Sequence, residues 1–427
     1  MLGEQQRDER SAAEIVKMRV AHMAFQYGLN NTGGAAIAST RLHQALLKHG
    51  VESHYICVYA REKGENVHEL PRGWKRRLFI LLTKLARNFW KQTSWRKAIP
   101  MNIIPLFGLE AELKNIQPDV VHVQWLNADV ASFAQLVKLP YKMIFNLHDL
   151  FVINAIEPYP CKDRRFVTGF DKTNSTRLER WLFNRKRRMI AALQPSFIGP
   201  SEWVAGECRA SLIGKGLPAF AIPNLPDPTF ERHCVAGVAA ESHSHFVILF
   251  GAYGGRGNRL KGFDDLVQAL KILPPEMKSQ TELHILGESA ADCEIEGVRT
   301  HFLNSVSDPS ELIKIYQSAD VFAFPSREET QGMTKVEALL CGLPVIAFNR
   351  TACAEGVEHG VTGWIAPNND FAAYADGLAH YFAEWKSGNL FASKGIIAVA
   401  ALNRFRSDSL VKEIDHAYSQ STMGRWV

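Results

Sequence analysis

At 427 residues the chain exceeds one ordinary domain, and two domains of roughly 200 residues each are the natural division. Its 46% hydrophobic and 22% charged residues are those of a soluble globular protein, and no apolar run of about 18 residues is present to span a bilayer. The net charge of +5 conceals a split: residues 1–190 hold 30 of the 49 Lys and Arg but only 17 of the 44 Asp and Glu. A basic front half calls for an anionic partner, and charge alone offers nucleic acid or anionic lipid.

Residues 1–17 mix acidic and basic side chains without an apolar centre. They read as a polar arm and not as a signal peptide. The seven cysteines are scattered, without a C-x-x-C pair, which fits reduced thiols in the cytoplasm. A strand is expected over 18–25, then a loop carrying Gly33 and Gly34, then a helix stopped by Gly50 and a second strand, SHYICVYA. The two glycines allow a close backbone approach or positive φ at a helix start, where a phosphate can sit. A plain tight turn is the alternative.

Residues 71–97 hold nine Lys and Arg and no acid. Trp74, Leu78, Leu81, Leu82, Leu85 and Phe89 fall on one helical face, with Lys75, Arg76, Lys84, Arg87 and Lys91 elsewhere. Such a helix suits an anionic membrane surface over residues 74–97. It equally suits a domain helix packed on the core. A second basic cluster, residues 185–188, could share that surface.

Strand and helix then alternate. PDVVHVQWL and KMIFNLHDL read as buried strands, the second ending at His148 and Asp149, and SFIGPSEWVAG as a strand followed by a helix capped by Ser201. Parallel α/β sheets hold ligands at the C-terminal ends of their strands, which marks His148. Residues 226–245 are polar and bear His and Pro, as a linker would. HFVILFGAY restarts the alternation. A glycine-rich basic loop follows, with Arg256, Arg259 and Lys261, and then a helix from residue 263. Cations beside glycine-rich backbone can neutralise a diphosphate. LHILGE is a strand ending at Gly287.

Residues 326–348 organise the second half. A β-like run leads in. Glu329 and Gly332 follow, a helix starts near Met333 with Glu337 inside it, and Gly-Leu-Pro precedes another β-like run. Free amides at a helix start suit an anion, and carboxylates accept hydrogen bonds from hydroxyl-rich groups. A sugar nucleotide offers both. No Asp-x-Asp is present anywhere, so a diphosphate held through a metal ion on such a carboxylate pair has no support.

Glu329 and Glu337, eight positions apart, resemble the Glu-x7-Glu signature of the retaining glycosyltransferases of family 4. Where that family usually reads E-G-F-G, this chain has Glu329-Thr330-Gln331-Gly332. The likeness runs over nearly the whole chain from about residue 18. It takes in the Gly33-Gly34 loop, His148, the Arg-x4-Lys spacing of Arg256 and Lys261, and residues 304–307. Relatives that read LHD tend to carry several cysteines just downstream, where this chain keeps only Cys161. That puts any metal or crosslink there in doubt.

The resemblance implies an α/β chain of GT-B fold, two Rossmann-like domains facing across a cleft. The acceptor domain would span 18–225, a linker 226–245 and the donor domain 246–405. Residues 406–427 would cross back onto the first domain. It implies a nucleotide-sugar donor, retention of configuration, and no cofactor or metal. Glu337 would hold the ribose and Glu329 the transferred sugar. Arg256 or Arg259, with Lys261, would stabilise the diphosphate, together with the amides near Gly332, Met333 and Thr334. His148 would contact the sugar, Gly33 and Gly34 would close over the donor, and Gly287 and Val306 would border the nucleotide. The acceptor would be a glycan or lipid-linked glycan of bacterial exopolysaccharide assembly, of the colanic-acid type. The enzyme would be cytoplasmic, with peripheral attachment to the membrane if the basic helix binds lipid, and no nucleic acid is expected as partner. An inverting transferase, a phosphorylase or a non-catalytic membrane binder of the same fold are the alternatives.

Overall fold

The computed structural model describes residues 18–29, 33–89, 102–128, 130–159, 163–237, 244–251 and 254–423, and the side chains of 86–89, 128 and 423 are not among them. The arm, residues 90–97 of the basic stretch, Cys161, part of the linker and the last four residues lie outside the described set. The first sheet contains β1 (Arg19–Tyr27), β2 (Glu52–Ala60), β3 (Val67–Glu69), β4 (Val120–Val123), β5 (Lys142–Asn146), β6 (Ser196–Gly199) and β7 (Ala219–Ala221), in the order β3-β2-β1-β4-β5-β6-β7. All its pairings are parallel. The second contains β8 (Phe246–Gly251), β9 (Thr281–Leu286), β10 (Cys293–Ile295), β11 (Val298–Leu303), β12 (Val321–Phe324), β13 (Val345–Phe348) and β14 (Gly363–Ala366). Its order is β10-β11-β9-β8-β12-β13-β14, and only β10 runs antiparallel to its neighbour.

The central strands read as near-continuous apolar runs because helices cover both faces. β4, β8, β12 and β13 are buried at every position. One face of the first sheet packs Val20, Val120, Ile144 and Ile198 against Leu410, Val411, Ile414 and Tyr418. The helix Ser407–Met423 therefore crosses back onto the first domain. Residues 226–245 are not only a linker: the helix Pro228–Ala236, capped by Asp227, seats Phe230 and Cys234 in the second domain's core.

The sheet orders reverse between β1 and β4, and between β8 and β12. Open α/β sheets bind ligands outside the carboxyl ends of strands at such switch points. The loops after β1, β8 and β12 are those carrying Gly33 and Gly34, Lys261, and Glu329.

The basic helix forms over Trp74–Phe89. It docks through Phe79, which is fully buried, and through Arg76, ion-paired to Glu69 and set over the Tyr59 ring. The predicted apolar face is not the docked one: Trp74 is 70% exposed, Leu81 54% and Leu85 56%. The cluster at 185–188 is not a surface unit. Lys186 is fully buried, donating to the carbonyls of Phe151, Asn154 and Ala155, and Arg185 lies over the rings of Phe133 and Trp181.

Candidate active site

Lys261 ends the second of two 3-10 helical turns, Gly255–Gly257 and Arg259–Lys261, in the loop after β8, and Glu329 lies in the loop after β12. Their side chains meet, Nζ to Oε2, at 2.7 Å. Two loops on either side of the switch point thus present a cation and a carboxylate to one place. Asp265, in the first turn after Lys261, accepts from Arg327 at 2.6 Å and from Arg350 at 2.7 Å. Arg350 also donates to the carbonyls of Pro325 and Ser326. This brace locks the lysine loop to the glutamate loop. Nothing in the sequence marked Asp265, Arg327 or Arg350, because their partnership is a matter of tertiary contact.

Gly332 caps the helix Met333–Leu340 with φ at +83°, and no side chain caps that helix. Its first amides remain available to an anion, and no acid in the first turn opposes one. Glu337 sits one turn further in. Tyr316 donates to its Oε2 at 3.2 Å, and burial raises the carboxyl to about 7 against the opposing pull of Arg41. Arg41 belongs to the first domain and is held at 3.2 Å by Asp227.

The two domains touch directly beside these groups. The Thr330 hydroxyl donates to the carbonyl of His148 at 3.1 Å. Gln331 exchanges hydrogen bonds with the backbone of Asn224, and Glu355 accepts from the amides of Glu202 and Trp203. The departure from E-G-F-G is therefore structural: Thr330 and Gln331 make interdomain contacts that glycine and phenylalanine could not. Lys335 braces the same region, fully buried and donating to three carbonyls at residues 352, 353 and 355.

His148 presents its backbone, not its ring, to the second domain. Its Nε2 donates to Gln124 Oε1 at 3.2 Å, which also accepts from Asn146 at 3.1 Å. The amide nitrogen of Gln124 lies 2.8 Å from His22 Nδ1 and 3.1 Å from His122 Nδ1. An amide nitrogen only donates, so both of those nitrogens accept. Tyr418 of the C-terminal helix lies 2.8 Å from His122 Nδ1. Gln124, at the end of β4, thus links the C-terminal helix to His148. It was missed because a glutamine after a strand carries no signal of its own.

Burial lowers His43 and His148 to about 4 and His122 to about 3, and holds His22 well below the ordinary range. The unfolded chain protonates these imidazoles near pH 6.5, while the folded chain does not until far lower pH. Unfolding therefore takes up protons between about pH 6.5 and 4, and stability falls as pH falls through that window, by up to about 1.4 kcal/mol per pH unit for each histidine. Urea midpoints at pH 7 and pH 5 should differ clearly. A flat profile would mean that these rings are not buried neutral.

Arg256 is engaged elsewhere. Its guanidinium donates to Glu288 at 2.7 Å and lies 4.6 Å from the Phe302 ring centre. Arg259 is exposed, with no ion pair among the described residues. Gly33 has φ of −78°, so it is not there for positive φ, and the space above it and Gly34 is open. Gly287 closes β9 at φ +98°, and Val306 packs at the edge of the core.

Residues 32–224 match the family model described as Glycosyltransferase Family 4, and residues 249–396 match the one described as Glycosyl transferases group 1. The chain is a GT-B glycosyltransferase. The capsular polysaccharide biosynthesis glycosyltransferase CapM of Staphylococcus aureus is 28% identical over 365 residues, 76% of this chain and 90% of CapM. The D-inositol 3-phosphate glycosyltransferase of Xylanimonas cellulosilytica is 34% identical over 183 residues, so this chain spans 42% of that relative's length and the match takes in 40% of its own. Anabaena HepE in complex with UDP-glucose superposes with a TM-score of 0.56 over 94% of this glycosyltransferase and 100% of HepE. At 17% identity that likeness is one of fold.

Proposed function

We propose that the enzyme transfers a sugar, with retention of configuration, from a nucleoside-diphosphate sugar to a glycan or lipid-linked glycan of a bacterial surface polysaccharide. The observation that carries this reading is the meeting of Lys261 and Glu329 beside the uncapped helix start at Gly332. A diphosphate placed on those amides would take Lys261 as its counter-charge. Glu329, relieved of its partner, would accept from the transferred sugar. Arg259 is better placed than Arg256 to swing onto the phosphates, being exposed and without an ion partner among the described residues. Helix amides and cations would do the work of a divalent ion, so no metal is required for transfer. The naming of CapM for capsule biosynthesis and the UDP-glucose of HepE support a surface-polysaccharide role and a nucleotide-sugar donor.

A thermal-shift screen of nucleotides and nucleotide sugars tests the donor class, since a ligand that binds the folded chain raises its apparent stability. Glu337 supplies a sharper check. Ribose hydroxyls need an ionised carboxylate, and burial holds this one at about 7. Binding of the selected nucleotide sugar should weaken as pH falls below 7, approaching tenfold per pH unit. In Glu337→Gln, binding should be weak and independent of pH over that range. Parent-like affinity and pH response in the variant would remove Glu337 from the ribose site.

The front half would meet an anionic membrane from the cytoplasmic side. Trp74, Leu81 and Leu85 form an exposed stripe beside Lys75, Arg77 and Lys84, and among the described residues no helix is long and apolar enough to cross the membrane. Cosedimentation with vesicles should require anionic lipid and weaken with salt, because surface attraction is screened over about 8–10 Å at physiological ionic strength. Each cation contributes on the order of 1 kcal/mol. Changing Lys75, Arg77 and Lys84 to Glu should abolish pelleting while leaving transfer to a soluble acceptor intact. Arg76 is left alone because it secures the helix to Glu69. Equal, negligible pelleting of parent and variant would assign the charge to an anionic glycan instead.

A further inference from the structure

Away from the cleft, the edge of the second sheet carries a second constellation. Glu282 and His284 are two residues apart on β9, so they project from the same face. The parallel register places Arg299 of β11 beside Glu282, and His301 beside His284. The opposite-facing neighbours, Leu283 and Ile285, are in the core, which fixes which face these polar residues occupy.

The side chains converge. Glu282 Oε2 lies 3.5 Å from His284 Nε2 and 3.8 Å from His301 Nε2. One donor atom from each of the three residues falls within 4.8 Å of the other two. The two imidazoles stand perpendicular, 5.4 Å between centres. Donors bound to a tetrahedral zinc at about 2.0–2.1 Å are roughly 3.3–3.4 Å from one another. The two gaps to Glu282 close with a shift of a few tenths of an ångström, and the two imidazoles need only turn toward each other within the 4.8 Å that already encloses all three donors.

The surroundings are those of a ligand set. His301 Nδ1 lies 2.7 Å from Asp292 Oδ2. A carboxylate accepts, so Nδ1 donates to Asp292, and Nε2 is the ring nitrogen turned toward Glu282 and left for a shared cation. A carboxylate behind an imidazole orients metal-ligating histidines in this way. Arg299 at 3.4 Å and His245 at 3.7 Å both address the other oxygen of Glu282, Oε1. They leave Oε2 to the histidines. Arg299 is exposed and free to move outward if charge is added, and His245 stands near enough to enlarge the set.

We propose that Glu282, His284 and His301 form a binding site for a transition-metal dication, zinc by its donor set, with Asp292 positioning His301. Two imidazoles and one carboxylate leave a fourth position for water. The ion would clip β9 to β11 and to the connection at Asp292. Beyond their C-terminal ends those strands lead to Glu288, which holds Arg256, and to the segment 304–306. The site is separate from the metal-free transfer proposed above, and its failure would leave that reading untouched.

The test uses untagged full-length protein stripped of metal and titrated with zinc against a chromophoric chelator. The parent should bind one zinc, and zinc should raise its Tm in a concentration-dependent manner. The double variant His284→Ala/His301→Ala should lose both effects. Asp292→Asn, at an exposed aspartate whose amide counterpart can still accept from the Phe302 N–H, should bind zinc about 10–100-fold more weakly. Parent protein that does not compete with the chelator would overturn the proposal. So would a double variant that holds zinc as the parent does, which would point to the His54–His68 pair of the first domain.

Discussion

Lys261→Ala should lower the rate of transfer at least about 100-fold while changing donor affinity much less. Removing one preorganised charge stabiliser costs about 10²–10³ in turnover, because the charge it faces grows only as the bond breaks. In the free enzyme Lys261 is held at 2.7 Å by Glu329, so it is placed before the donor arrives. Its loop is fixed in turn by the Asp265–Arg327–Arg350 brace, which limits how far another cation could move in. Lys261→Arg should recover part of the rate, since charge is kept but shape is not. Single-turnover rates with saturating donor separate the chemical step from binding. The parent should turn over equally with EDTA present. Near-parental turnover in Lys261→Ala, or a loss in EDTA that magnesium or manganese restores, would end the proposed mechanism.

The elements that carry the site were legible because their local sequence is self-consistent. Gly332, the helix from Met333, the Gly-Leu-Pro stop and the flanking apolar runs all point one way, and the structure has the helix at Met333–Leu340 between β12 and β13. The crossing C-terminal helix followed from the fold resemblance. Partnership was not legible. Arg256 matched the expected spacing, yet Glu288 lies 32 positions away in sequence and 2.7 Å away in space. The basic helix shows the same limit. Its periodicity gave an amphipathic face, but Phe79 and Arg76, set off from that face, do the docking. Lys186 reads as a surface cation in a run of four, and it is fully buried because three carbonyls need a donor. Glu282, His284 and His301 are assembled by register between strands, which no window of sequence displays.

Gly332→Ala should cost the enzyme both stability and activity, and it isolates why a glycine stands before the helix. At φ of +83° any side chain pays about 1–2 kcal/mol in the left-handed region. A Cβ there would also lie 2.5 Å from Phe324 Cζ and 3.2 Å from Glu329 Cγ. Phe324 is a core residue at the end of β12, so the helix start must move instead of the ring. That displaces the amides and Glu329 together, and a shift of about 1 Å can cost on the order of 100-fold in rate. The total of about 2–4 kcal/mol should lower Tm by roughly 5–15 °C for a domain of this size. Gly388→Ala is the control. It has nearly the same φ, +77°, but nothing within 4 Å of a new Cβ, and it lies between two helices far along the chain. It should show only the backbone cost, a few degrees in Tm, with transfer intact. If the two alanine variants behave alike, the contact with Phe324 and Glu329 is not what positions the helix start.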